Sequence, residues 1–326
     1  MKAMLVDENK NLIWTDVPDP EIKEDEVLLK VCAAGVNRAD LLQREGKYPS
    51  PPGCPEWMGL EVSGWIVSCG SAVTGWQVGD RACALLGGGG YGEYVAVKQD
   101  MLMPIPKGMS LTHAAGLPEA YATSYLNLFM EGHLEAGQTI FIPAGASGLA
   151  SAAIPMAKAF GARVITSVRK PHQVELIKGL GADRIILSSQ QPVEEALAQE
   201  ERNGHPVNVA MDCLSGEDLG KCLPYMARGG YWIVIATLAG IQTNLPLRPL
   251  LSKGLHVVGS TLRSRTPQFK AQLLSILVQN LWPKLESGAL TPSVHAVLPM
   301  ASAEEAHAIM ANGQHVGKLI LQVCPE

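Results

Sequence analysis

The sequence predicts an α/β protein in two parts. One is a β-rich domain drawn from both ends of the chain, and the other is a parallel, doubly wound sheet between them. Three observations carry this. The chain has 326 residues, and one domain usually takes ~100–200. Up to about residue 120 short β segments alternate with glycine and proline turns. Beyond it strands alternate with helices, starting at a glycine-bearing turn.

In the first part, strands are predicted at 26–31, 62–67 and 94–97, separated by turns such as Val78-Gly79-Asp80 and the tract Gly87 to Gly90. So many turns suggest a compact barrel or sandwich. In the second part, Thr139–Ile142 reads as a buried strand, followed by an alanine-rich helix to about Phe160. Next come a strand at 163–166 and a helix at 173–180 closed by Gly181. Strands at 207–211, 231–235 and 255–258 complete the alternation. The tail predicts a helix at 270–281 and a last strand at 318–323. Between them a helix opens with a capping box of Ser302 and Glu305, and Ala306, Ile309 and Met310 form its apolar face.

The chain is 47% hydrophobic and 17% charged, enough apolar material for two cores and too little charge for disorder. A net charge of -5 argues against bulk binding to nucleic acid or anionic membrane. The longest apolar runs, such as 231–239, are far shorter than the ~20 residues of a spanning helix. Acid at Asp7 and Glu8 interrupts any signal peptide, so a cytoplasmic protein is expected. The seven cysteines are odd in number and form no C-x-x-C pair, so they read as buried hydrophobes in a reducing compartment. No two histidines stand four apart, and the pattern shows no zinc site.

The sharpest motif is the turn Gly145-Ala146-Ser147-Gly148-Leu149-Ala150 after the strand Thr139–Ile142. Small side chains let the backbone approach a pyrophosphate whose charge rests on the helix N-terminus. Such turns also occur in plain β–α connections, but within a βαβ unit this one reads as a coenzyme site. Pro155 predicts a kink or a shortened helix there. At the end of the second strand, where an NAD site carries an acid, the sequence has Ser167, Arg169 and Lys170, with no acid before Glu175. Two cations and a hydroxyl suit a 2′-phosphate, so NADPH is predicted. The bland alternative is a solvated basic loop.

With these residues in hand, the chain resembles the medium-chain dehydrogenase/reductase superfamily along nearly its whole length. It most resembles the superfamily's zinc-free quinone oxidoreductases. The resemblance rests on VNRADLLQREGKY at 36–48, GLEVSG at 59–64, MPIP at 103–106, PEA at 118–120 and LRSR at 262–265. It implies a GroES-like catalytic domain from 1–120 and 266–326, a Rossmann domain at 121–265, and a homodimer. Zinc members carry Cys where Asn37 stands, His where Leu60 stands, and a four-cysteine lobe after the segment 88–94. Asn and Leu cannot replace thiolate and imidazole.

The implied activity is metal-free, NADPH-dependent reduction of quinones, in which hydrogen-bond donors meet charge developing on the quinone oxygen. The resemblance makes Asn37 and Tyr48 candidates for donor and positioning groups and sets Thr123 near the nicotinamide end. It places Arg263 toward substrate or coenzyme and Lys318 toward the coenzyme. Read alone, these residues are a turn former, a half-buried aromatic, a helix residue and a surface ion pair for the first four. One departure is Leu187-Ser188, where relatives often carry Asn-Tyr beside the adenine ribose. Two other functions fit the pattern: reduction of 2-enoyl or alkenal double bonds, and NADPH binding without catalysis.

Overall fold

The computed structural model describes residues 1–326. The chain forms two compact units, Met1–Ala122 with Arg265–Glu326, and Thr123–Ser264. No helix is long and apolar enough to cross a membrane.

The first unit begins with β1 (Lys2–Val6) and β2 (Leu12–Asp16), an antiparallel hairpin. The sequence reading passes over it because both strands are short and only partly buried. Next come β3 (Glu26–Val36), α1 (Arg38–Arg44), β4 (Glu61–Cys69), β5 (Arg81–Leu85), β6 (Tyr94–Lys98), β7 (Leu102–Pro104) and α2 (Leu111–Ala114). Strand β3 runs five residues beyond the predicted end at Val31. Its second half, Cys32-Ala33-Ala34-Gly35, has little β propensity, but it is wholly buried and paired on both sides. Helix α3 (Pro118–Tyr125) leads into the second unit.

That unit reads β8 (Thr139–Ile142), α4 (Gly148–Ala159), β9 (Arg163–Val168), α5 (Pro171–Ile177), β10 (Arg184–Leu187), α6 (Val193–Arg202), β11 (Val207–Asp212), α7 (Glu217–Cys222), β12 (Met226–Val234), α8 (Leu247–Lys253) and β13 (His256–Gly259). Its six strands are parallel, in the order β10-β9-β8-β11-β12-β13. This is the doubly wound dinucleotide-binding order, with its switch point between β8 and β11. Phe141, Ile165, Ala210 and Trp232 lie in its core. Pro155 does not shorten α4, which runs through it to Ala159. The buried alanines 150, 152, 153 and 157 pack closely enough to override the ~3 kcal/mol a mid-helix proline costs.

The tail returns to the first unit as α9 (Pro267–Glu286), β14 (Val294–Pro299), α10 (Ala303–Ala311) and β15 (Lys318–Gln322). The seven-stranded sheet there runs β14-β15-β3-β4-β5-β7, and β6 also pairs with β3. Along one edge of β3, β6 pairs with Glu26 to Lys30 and β15 with Ala33 to Val36. The predicted capping box does not form. Ser302 ends a 3₁₀ turn (Met300–Ser302), has φ -94° and ψ 22°, and its side chain caps nothing. The apolar face is as expected: Ala306 and Met310 are buried and Ile309 packs against the core.

Candidate functional site

In the second unit the candidate coenzyme residues gather at the carboxyl end of the parallel sheet. Ala144 takes a positive φ of 55° to start the turn after β8, and the Gly145 N–H donates to Ser167 O at 2.8 Å. A Cβ on Gly145 would stand 2.4 Å from Thr166 Oγ1, and that hydroxyl is itself held by Ile142 O at 2.6 Å. The glycine therefore lets β8 and β9 close on each other. Ala146 is buried behind it. Ser147 is the N-cap of α4, its hydroxyl accepting from Ala150 N at 3.1 Å. The Gly148 and Leu149 N–H groups, in the first turn, have no intrahelical acceptor, and the helix dipole favours an anion there.

Arg169 follows β9 directly and is exposed, while Lys170 is the N-cap of α5 with its N–H on Gln173 Oε1 at 3.1 Å. Ser167, the hydroxyl expected to join them, is buried within β9; the two cations lie beyond the strand's end. In place of the Asn-Tyr pair, Ser188 turns inward and donates through both N–H and hydroxyl to Val168 O. These residues fit a dinucleotide: small backbone at the switch point, helix N-terminal N–H groups and a cationic corner, all at the carboxyl end of the sheet. Thr123 lies on α3 and its carbonyl accepts from Asn127 Nδ2 at 2.7 Å. Arg263 lies in the turn after β13.

In the first unit Asn37 sits at the centre of a buried polar network that the sequence reading missed. Its Nδ2 donates to Glu61 Oε1 at 2.9 Å and to Gly35 O at 3.3 Å, and its Oδ1 accepts from Lys318 Nζ at 2.8 Å. Lys318 also holds Val36 O at 3.1 Å and pairs with Glu61. The other oxygen of Glu61 accepts the Glu119 N–H at 2.8 Å. The sequence reading sends Lys318 to the coenzyme, but its ammonium has three donors and all three meet protein acceptors. Likewise both amide hydrogens of Asn37 are spent inside the protein, so only its oxygen keeps a spare lone pair. Tyr48 lies partly exposed in the bend after α1.

A second branch runs from the Asn37 backbone. Asp40 is fully buried and accepts from Asn37 N at 2.7 Å, Gly59 N at 3.2 Å and Tyr91 Oη at 3.2 Å. Tyr91 Oη lies 3.3 Å from His307 Nε2. Sequence spacing gives no sign of these partners, although Asp40 and Glu61 both lie in motifs that carry the resemblance.

Burial raises the Asp40 carboxyl to about 6, against the pull of the Asn37 and Gly59 N–H groups. Burial lowers His307 and His315 to about 4 each, helped by the nearby charges of Arg44 and His295 respectively. As pH falls from about 6.5 to 4, the unfolded chain takes up the two imidazole protons first, so the histidines destabilise the fold by roughly 3 kcal/mol each. Asp40 acts oppositely over about pH 6 to 4, because its folded form binds the proton first. The net expectation is stability that falls as pH drops through this window. His307→Gln should remove part of that slope in urea titrations at pH 4.5 and 7, and an unchanged slope would refute the assignment.

No three His, Cys, Asp or Glu side chains come together to hold a metal ion. Beside Asn37 the acids are Glu61 and Asp40, whose oxygens are occupied by protein donors, so the donor set does not fit a catalytic zinc. The seven cysteines are free thiols.

Residues 23–107 match the family described as alcohol dehydrogenase GroES-like domain, and 148–279 match zinc-binding dehydrogenase. A quinone oxidoreductase-like protein 2 homolog from Nematostella vectensis is 31% identical over 299 residues, covering 91% of this chain and 81% of that protein. The crystal structure of the quinone oxidoreductase from Thermus thermophilus, also solved with NADPH, is 29% identical with a TM-score of 0.82, covering 99% of this chain and all of that one. A highly reducing polyketide synthase of Emericella nidulans carries a stretch 30% identical over 315 residues, which is 94% of this chain and 12% of that protein. With a GroES-like unit and a Rossmann unit matched in order, the chain belongs to the medium-chain dehydrogenase/reductase superfamily and is a relative of its quinone oxidoreductases.

Proposed function

We propose that this chain is an NADPH-dependent oxidoreductase that passes reducing equivalents to quinones without a metal. The observation that carries the coenzyme half is the cationic corner. Arg169 is exposed at the carboxyl end of β9, next to the glycine turn of β8, where an acid would select a free ribose hydroxyl. The likeness to the Thermus protein crystallised with NADPH supports the same reading.

When bound, the nicotinamide supplies a hydride. In this chain the α4 N-terminus and Ser147 would hold the pyrophosphate, and Arg169 with Lys170 the 2′-phosphate. The Tyr48 hydroxyl would donate to the acceptor oxygen as charge develops there. Asn37, clamped by Lys318 and Glu61, would hold the segment that leads to Tyr48. Thr123 and Arg263 are proposed to line the nicotinamide end.

Fluorescence titration with NADPH and NADH tests the coenzyme assignment. Arg169→Ala should weaken NADPH binding about 10-fold or more, the value of one charge-assisted hydrogen bond, and leave NADH binding unchanged. Equal affinity of the unaltered protein for both coenzymes would overturn it.

A second reading, reduction of an activated carbon–carbon double bond, is favoured by the match to the highly reducing polyketide synthase. Turnover of quinones, alkenals and crotonyl thioesters side by side separates the two. NADPH binding with no turnover of any acceptor would instead mark a non-catalytic protein. The predicted homodimer is proposed to form along β13, an edge strand on which Val257 is exposed, because an uncovered apolar strand edge invites pairing.

A further inference from the structure

We propose that His307 is a positioning residue that fixes the Asn37 backbone and the start of α1 through the Tyr91 hydroxyl and the Asp40 carboxylate. The proposal rests on the reading above, in which α1 leads from Asn37 to Tyr48. The direction of each hydrogen bond follows from the atoms present. Asp40 faces the N–H groups of Asn37 and Gly59, at 2.7 and 3.2 Å, so as a carboxylate it accepts from Tyr91 as well. The single phenol proton of Tyr91 therefore points at Asp40. Its oxygen is then left to accept from His307 Nε2 at 3.3 Å, which places the imidazole proton on Nε2 and leaves Nδ1 bare.

That bare nitrogen is the second observation. His307 is only 2% exposed, and its Nδ1 is buried with no partner. Leaving a buried acceptor unpaired destabilises the fold, a cost that an apolar side chain of similar shape at this helix position would avoid. The ring also meets Tyr91 edge to face, at 6.0 Å and 64°, which holds Nε2 toward the hydroxyl. The chain of contacts thus joins α10 to the start of α1 through the buried side chains of His307, Tyr91 and Asp40, and ends on the residue whose carboxamide Lys318 and Glu61 grip from the other side.

The experiment compares His307→Leu, which keeps bulk but loses the donor, with His307→Gln, which keeps an N–H near the position of Nε2. Tyr91→Phe removes only the hydroxyl and serves if the leucine variant does not fold. The readouts are amide hydrogen exchange at Asn37 and Gly59, and steady-state kinetics with NADPH and a para-quinone. The leucine and phenylalanine variants should exchange the Asn37 amide about 10-fold faster, the equivalent of one net hydrogen bond. They should lower kcat by a similar factor and leave the KM for NADPH unchanged, and the glutamine variant should restore most of both. Unchanged exchange at Asn37, or glutamine no better than leucine, overturns the proposal. Asn37→Ala kinetics keep the underlying reading separate. If that variant turns over quinone normally while His307→Leu still accelerates exchange, the relay stands and the site assignment fails.

Discussion

Lys318→Met is expected to destabilise the first unit by about 3–5 kcal/mol, the range for removing one partner of a buried ion pair. Glu61 is fully buried and Lys318 is 5% exposed. Without the ammonium, the Glu61 carboxylate keeps only the Asn37 Nδ2 and Glu119 N–H donors, which do not neutralise its charge. The Asn37 oxygen loses its partner in the same step, so quinone turnover should fall with stability. The double variant Glu61→Gln/Lys318→Met should recover most of the lost stability, because the uncompensated charge is gone and methionine fills the space of the lysine stem. Urea denaturation of the four proteins in the cycle checks this. A single variant within 1 kcal/mol of the parent, or a double variant as unstable as Lys318→Met, would show that the pair is not the element holding Asn37.

Gly145→Ala is expected to cost about 3 kcal/mol and weaken NADPH binding about 100-fold. Its new methyl would lie 2.4 Å from Thr166 Oγ1, 3.1 Å from Thr166 Cγ2 and 2.9 Å from Ile177 Cδ1. Ile177 can yield at the end of a flexible side chain. Thr166 cannot, because it is buried and its hydroxyl is bonded to Ile142 O. The turn must move instead, and with it the Gly148 and Leu149 N–H groups at the start of α4. Thr166→Ala in the same chain removes both clashing atoms and should restore most of the affinity. Calorimetric titration with NADPH decides the matter: failure of the second substitution to rescue binding would mean the glycine serves the coenzyme directly, by letting the backbone approach it.

The residues of the second unit were legible for a physical reason. A parallel strand buried on both faces is a short apolar run, and a β–α turn against an anion needs small residues. Both signals lie within a few consecutive positions, so β8, the turn from Gly145 and the cations Arg169 and Lys170 could be placed directly. Where local rules and packing disagree, packing won. The helix passes through Pro155 because buried alanines hold it, and Ser302 gives up its cap to a 3₁₀ turn. The second half of β3 forms from residues of poor propensity because neighbours pair with both of its edges.

The sequence by itself determined the β-rich character of the first part, the strand–helix alternation of the second, and the turn and cations proposed to meet a coenzyme phosphate, since periodicity and turn chemistry are local properties. Only the tertiary structure decided which polar groups meet. Antiparallel pairing of Leu319 with Val36 brings Lys318 beside Asn37, and the packing of α10 brings His307 to Tyr91. Partners that far apart in the chain are chosen by sheet register and helix packing, which no window of neighbouring residues contains.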